Sequence, residues 1–490
     1  MKHAIVFAGF AAGAALQLAA QLVPAALFND NMVLQRDKPV AVWGKADAGD
    51  TVSVAFGGAV AKATAGADGA WRATLPAMPA CSTGKQLAIS TAKGERVAYA
   101  NVVVGEVWLC SGQSNMSMAL WSRPTVSKHG NHERNGYLDC MIVDEPDVRG
   151  VKIPCVWSDK PKDLPRQAWE PFAPGKQQFF SAIAFHYALI LHRTLKVPVG
   201  VIQSAWGGTL IEPWISKDGF ESEPSLKELA VRPINTVPPI PDNDSKKPRR
   251  DNRHQQARAL YNAMIHPLVP YTLRGAIWYQ GESNRGNGHA YADRLRALHY
   301  GWSKAFECPD MPFFLVQIAP YGYMGPDADA TQSCEIWEAE AEFARTQKNC
   351  GMAVIVDVGE IDNIHPADKR TVAMRLAVLA LNRTYGRKDI PCDSPTLKDW
   401  KLDGDTFTLT FDHCTAWVMH GDDPARFEVA GADGKFVPAQ TTLKNGIAIV
   451  RAPGVAAPKE LRYMWSWRLL GHLKNEVGLP LAPFRIHAGK

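Results

Sequence analysis

The sequence predicts an α/β protein in which a parallel sheet covered by helices lies between two β-rich regions. Three observations predict it. Short alternating runs, broken by glycine and aspartate, occupy residues 22–103. Apolar runs then alternate with helix-patterned segments as far as residue 395. From residue 396 the short alternating runs return. Apolar strands alternating with helices imply a parallel sheet buried on both faces. Short strands separated by turn signals imply antiparallel, sandwich-type packing.

The elements follow in order. Met1-Lys2-His3 and the alanine-rich run from Ala4 to Ala20 have the form of a secretory leader, ending at Ala19 or Ala20, which predicts a secreted or periplasmic protein. Residues 21–103 form an N-terminal β-sandwich domain, with strands at 40–44, 51–56 and 69–75 and turns such as Ala48-Gly49-Asp50. Residues 104–395 form the central domain. Its strands are expected at 102–110, 197–203, 275–279, 313–318 and 353–358, and its helices at 180–192, 291–306, 334–348 and 367–383. Residues 232–253, rich in Pro, Asp, Asn and Arg, read as a long surface excursion. Residues 396–490 form a C-terminal β-rich region with strands at 406–411, 427–436 and 446–450.

A chain of 490 residues exceeds what one core organises. Hydrophobic residues at 46% and charged residues at 21% describe an ordinary folded protein. The net charge of +5 is small, and the one dense basic run, Lys246, Lys247, Arg249 and Arg250, sits among Pro, Asn and Asp. Nucleic-acid binding is therefore not expected. Past the leader, no apolar run is long enough to span a membrane. Export makes disulfides possible; of nine cysteines at least one stays unpaired, and Cys140 with Cys155 is the pairing that proximity suggests. No Cys-x-x-Cys pair or histidine cluster has metal-ligand spacing, so neither metal nor cofactor is expected.

The chemistry is sought beyond the carboxyl ends of the strands, where open α/β sheets bind ligands. The first strand is followed by Gln113-Ser114-Asn115-Met116, where a helix can begin and favour negative charge. Met116 two residues later excludes the Gly-x-Ser-x-Gly elbow. The second is followed by Ser204-Ala-Trp206-Gly207-Gly208, the third by Gln280-Gly-Glu282-Ser-Asn284, and the last by Asp362-Asn-Ile-His365-Pro366. Acyl transfer requires such a set. A serine hydroxyl becomes a nucleophile when an imidazole takes its proton, and a carboxylate holds that imidazole in the right tautomer. The tetrahedral intermediate needs fixed donors, each worth about 3 kcal/mol. Backbone N–H groups of Ser114 and of Gly207 or Gly208 supply two, and Gln280 or Asn284 a third. Taken singly, a glycine pair serves a turn and an Asp-x-x-His caps a helix; the order of all four segments is what points to a serine hydrolase.

These segments resemble the SGNH-type serine esterases, and among them the sialate O-acetylesterases and related carbohydrate acetylesterases. The resemblance is carried by Cys110-Ser-Gly-Gln-Ser114-Asn-Met-Ser-Met, Gln203-Ser-Ala-Trp-Gly207-Gly208-Thr-Leu-Ile-Glu-Pro-Trp214, Gly275-Ala-Ile-Trp-Tyr-Gln280-Gly-Glu-Ser-Asn284 and Asp362-Asn-Ile-His365-Pro. Tyr261-Asn-Ala-Met-Ile-His-Pro and Asn475-Glu-Val-Gly-Leu-Pro-Leu-Ala-Pro-Phe-Arg485 extend it almost to the carboxyl end. It implies a three-layer α/β esterase domain with β-rich flanks, and removal of acetyl groups from sugars. Carried over by position, Ser114 is the nucleophile, His365 the base and later the acid, and Asp362 its orienter, with Asp357 and Glu360 as runners-up. The broader superfamily has Gly-x-Asn-Asp where this chain has Gln280-Gly-Glu-Ser-Asn284, which leaves the third donor open between Gln280 and Asn284.

The likeness favours O-acetylated sialic acids as substrate, with Arg134 or Arg285 facing the sialate carboxylate. Gln113, Trp206, Trp214 and Glu282 are further substrate-contact candidates, and Trp121 a further sugar-stacking one. Two other readings are an acetylesterase acting on polysaccharides such as xylan, and a carbohydrate-binding protein without catalysis.

Overall fold

The computed structural model describes residues 22–121, 135–234, 251–323, 329–331, 333–419 and 426–488. The expected leader at 1–20, Arg134 and the basic run at 246–250 lie outside the described residues.

One strand, Arg96–Gly112, organises the molecule over its 17 residues. Its first part is mostly exposed, and from Val102 onward every residue is buried. The first part pairs antiparallel with Cys81–Thr91 of the N-terminal region. The second lies parallel between Val199–Ala205 and Gly275–Tyr279. The apolar run from Val102 suits a strand covered on both faces. The expected boundary between 103 and 104 thus falls inside one continuous strand. Across the central sheet the order is Glu170–Phe172, Glu145–Lys152, Val199–Ala205, Arg96–Gly112, Gly275–Tyr279, Phe313–Val316, Cys350–Ala353. Only the first pair is antiparallel.

Seven α-helices accompany it among the described residues: α1 Ser114–Ser117, α2 Gly136–Ile142, α3 Ala182–Leu195, α4 Lys217–Ser222, α5 Ala290–Ala305, α6 Glu335–Thr346 and α7 Lys369–Arg383. Helix α3 packs on α7, and α5 on α4 and α6. Three starts are capped by side chains: Ser181 Oγ accepts from Ala184 N (3.1 Å), Ser216 Oγ from Gly219 N (3.0 Å) and Asp368 Oδ1 from Thr371 N (3.0 Å).

The strand expected at 353–358 is displaced. It forms at Cys350–Ala353, and the chain then leaves the sheet. The reason is a competing core: Val354 and Val356 pack with Phe407, Phe427, Leu461 and Leu481 of the C-terminal region. Gly471 N donates to Val356 O (3.0 Å) and Arg375 to Val354 O (2.8 Å). That C-terminal region contains two four-stranded antiparallel sheets. All nine cysteines are free, so the suggested Cys140–Cys155 pair does not form; Cys140 is buried on α2, whereas Cys155 is exposed. Among the described residues no helix is long and apolar enough to cross a membrane.

Where the N-terminal region meets the sheet, Glu106 is completely buried. Its carboxylate accepts from Arg36 Nε (2.5 Å), Arg274 Nε (2.7 Å) and Gln35 Nε2 (3.1 Å). Burial opposes its ionisation, but the two arginines outweigh this and hold its pKa below the usual value. Removing one partner of a buried pair strands the others. Glu106→Ala should therefore lower unfolding free energy in urea by about 3 kcal/mol; a loss under about 1 kcal/mol would deny the cluster that role.

Candidate active site

The turn that carries Ser114 is set by a glycine. Gly112 ends the long strand at φ +142, and a Cβ there would lie 2.1 Å from Tyr279 O. Gln113 N donates to Tyr279 O (2.9 Å), and Trp206 N to Gly112 O (3.1 Å). The strand end is thereby fastened on both sides, and the chain turns out of the sheet into Ser114, which is half-buried. Helix α1 is a single turn, too short for the expected dipole to count for much; what it offers is its unpaired leading amides.

The glycine pair lies against the serine. A Cβ on Gly207 would sit 3.2 Å from Ser114 Cβ, and Gly208 has φ +75. Side chains hold this turn: Thr209 Oγ1 donates to Trp206 O (2.8 Å), Gln255 Nε2 to Gly208 O (2.8 Å), and Leu210 N to Gln255 Oε1 (2.9 Å).

The histidine loop reaches the same place through Asn115. Its buried amide donates from Nδ2 to Glu282 Oε1 (2.6 Å) and to Ile364 O (3.0 Å). Its Oδ1 accepts from Lys369 Nζ (2.7 Å), which also donates to Pro366 O (2.5 Å). The residues on either side of His365 are thus tied to the residue after Ser114. Within the loop, Asn363 Oδ1 accepts from His365 N (3.0 Å), and Glu360 accepts from Asn363 Nδ2 (2.9 Å) and Ala367 N (2.9 Å). His365 is half-buried and Asp362 exposed. Among the described residues no hydrogen bond joins the imidazole to Ser114 or to Asp362; catalytic hydrogen bonds are often long before substrate binds. Of the runners-up, Asp357 is engaged by Arg375 (2.6 Å) and Lys474 (2.8 Å), and Glu360 serves as the loop's internal acceptor.

Several expected roles change. Gln280 Nε2 donates to Thr209 O (3.0 Å) and Asn284 Oδ1 (2.7 Å). Asn284 Nδ2 donates to Glu212 Oε2 (3.0 Å) and Asn287 Oδ1 (2.8 Å). An amide has two hydrogens, so neither side chain retains one for an oxyanion; both brace the turn at 209–212. Trp214 is fully buried, with Nε1 on Thr209 Oγ1 (3.1 Å), and offers no face to a sugar. Glu282 is 3% exposed and serves Asn115 rather than a substrate. Gln113 is buried, its Oε1 3.5 Å from Ser283 N. Trp206 and Trp121 are half-buried; Trp206 stacks on His254 at 4.8 Å, and Trp121 meets Tyr137 edge-on. Arg285 is half-buried, donates to Glu282 O (3.1 Å) and lies 4.9 Å over the Tyr323 ring.

Behind the site the surroundings are apolar. Burial pushes the Glu282 carboxyl above its usual range against the pull of Asn115 and Lys369. Burial, with Glu282 nearby, pushes fully buried Glu340 well above its own. Burial and then the charge of Lys369 hold the His365 imidazole below its ordinary pKa. Asn115 and Lys369 were not anticipated as site residues; the only sequence signals are adjacency to Ser114 and a one-turn offset from His365. Among the described residues no cluster of three or more histidine, cysteine or acidic side chains is placed to hold a metal ion.

Known proteins resemble this chain over most of its length. A family model for "Carbohydrate esterase, sialic acid-specific acetylesterase" matches residues 104–377. The sialate O-acetylesterase of Rattus norvegicus is 30% identical, with 90% of this chain and 89% of the rat protein aligned. That of Homo sapiens is 29% identical, over 90% and 87%. Among solved structures, a carbohydrate acetylesterase from Xanthomonas citri superposes with a TM-score of 0.82 at 30% identity, covering 95% of this chain and 99% of that one.

A histidine base must be neutral to accept a proton. A pKa held below the ordinary value keeps it neutral further into acid, and activity is lost as pH falls through that depressed value. The acid limb of kcat/KM for an acetyl ester is expected below about pH 6.5. A limb above that pH, or a rate unchanged down to strong acid, would contradict His365 as the base.

Proposed function

The chain belongs to the carbohydrate esterases described as sialic acid-specific acetylesterases, and from that premise we propose that it removes O-acetyl groups from sialic acids through an acetyl-enzyme on Ser114. Membership makes it a carboxylic ester hydrolase acting on acetylated carbohydrates. The observation that carries the Ser114–His365 mechanism is the tether at Asn115, which binds the carbonyl before His365 and the lysine that grips the carbonyl after it; the family likeness supports the sialic acid substrate.

In this mechanism the Ser114 hydroxyl attacks the acetyl carbonyl while His365 takes its proton. The carbonyl oxygen becomes an oxyanion facing the amides of Ser114 and the Gly207-Gly208 turn. Collapse expels the sugar oxygen, to which His365 returns the proton, and leaves acetyl-Ser114. Water, deprotonated by His365, then releases acetate and regenerates the serine. Asp362 swings its exposed carboxylate onto the imidazole when substrate fills the site. Arg285, which forms no ion pair among the described residues, matches a sialate carboxylate. In the finer fold reading, α3 with α7 and α4 with α5 and α6 form the two helical layers of an SGNH-type domain at 104–395, between β regions at 21–103 and 396–490. The leader at 1–20 directs the enzyme to the periplasm or the medium.

The test is acetate release from O-acetylated mucin sialic acids and from acetylated xylan, by wild type and Ser114→Ala side by side. Wild type is expected to prefer the sialic acids, and Ser114→Ala to lose at least about a thousandfold in kcat. Preference for xylan would move the substrate to plant polysaccharide. Undiminished turnover by Ser114→Ala would remove the mechanism, and failure of wild type to hydrolyse even p-nitrophenyl acetate would leave only carbohydrate binding.

A further inference from the structure

Lys369 is 1% exposed and is the first residue of α7. Both circumstances disfavour a cation: burial strips its hydration, and the start of a helix carries the positive end of the dipole. A lysine kept there has something to do. Its ammonium is wedged between the nucleophile turn and the histidine loop, on Asn115 Oδ1 (2.7 Å) and Pro366 O (2.5 Å), and lies 5.9 Å over the Tyr279 ring. Asn115 passes the contact on to Glu282, so an ammonium, an amide and a carboxyl form one chain through the buried floor of the site.

We propose that Lys369 is a positioning residue that locks the turn bearing Ser114 to the loop bearing His365 and sets a fixed positive charge beside the imidazole. The proposal rests on the reading of Ser114 as nucleophile and His365 as base. A fixed like charge penalises the imidazolium and favours the neutral ring that accepts the serine proton; burial acts on His365 in the same direction.

Other titratable groups surround this contact. From the histidine loop and the start of α7 come Glu360, Asp362 and Asp368, and the neighbouring Arg370 pairs with Asp139 of α2, near His186 of α3. From the strand end comes Glu282, with Glu340 of α6, Tyr279 and Tyr323 around it. Glu282 needs separate treatment, because removing Lys369 raises its pKa too and would move an acid limb in the same direction.

The experiment compares pH profiles of kcat/KM for wild type, Lys369→Met and Lys369→Arg, each also in a Glu282→Gln background. Without the charge, the imidazole protonates more readily. Lys369→Met is expected to move the acid limb upward by about one unit and to lower the plateau about tenfold, in both backgrounds. Lys369→Arg keeps the charge and should keep the wild-type limb. Should Lys369→Met fail to fold, Lys369→Gln, which retains a donor, carries the same comparison. A folded, uncharged variant with an unmoved limb overturns the proposal, and so does a shift that vanishes in the Glu282→Gln background. Ser114→Ala separates the two levels: undiminished hydrolysis would sink the underlying mechanism, whereas an inert Ser114→Ala with an unmoved limb in Lys369→Met would sink this inference alone.

Discussion

The site depends on one buried amide. Asn115 has no exposed surface, and its three partners come from segments that follow different strands. Nδ2 faces only acceptors, Glu282 and the Ile364 carbonyl; Oδ1 faces only a donor, Lys369. No flipped amide satisfies that set. An aliphatic side chain here would take one partner each from a carboxyl, a carbonyl and an ammonium, at a cost of about 1–3 kcal/mol for a buried group left unsatisfied. The turn that carries Ser114, the segment after Tyr279 and the histidine loop are therefore held as one body.

The β-rich regions belong to the same architecture. The N-terminal region enters the sheet through a shared strand, whose far end delivers Ser114. The C-terminal region takes Val354 and Val356 into its own core and sets Lys474 against Asp357, alongside Arg375 of α7. The chain leading to His365 is thus pinned before the loop begins. Loops carry the chemistry, while rigid elements on both sides decide where those loops stand.

How much was legible in the sequence varied with the physics involved. The strand Gly275–Tyr279 was read correctly because a short apolar run bounded by Gln280-Gly281 has few alternatives. Glu145–Lys152 was missed because Glu145, Asp147, Arg149 and Lys152 interrupt its pattern; the structure satisfies buried Arg149 with the carbonyls of Asn31, Asn101 and Pro146. The shift of the last strand to Cys350–Ala353 reflects competition between two cores, which no local window contains. Residue type and order singled out Ser114, the glycine pair and the histidine loop, segments that the fold brings together. They did not tell that Gln280 and Asn284 brace a turn, because an amide's role depends on partners distant in sequence. Lys369 carried only its one-turn offset from His365, a weak signal because most lysines at helix starts are solvated.

The proposed mechanism requires three loops to meet at one serine. A crystal structure of the protein after reaction with an organophosphorus esterase inhibitor tests this most directly, because the adduct reports both the nucleophile and the groups facing its oxyanion. The expected adduct has phosphorus on Ser114 Oγ, its anionic oxygen at the amides of Ser114 and the Gly207-Gly208 turn, and the His365 imidazole within hydrogen-bond reach. An adduct on another residue, or an imidazole turned away from a labelled Ser114, would contradict it.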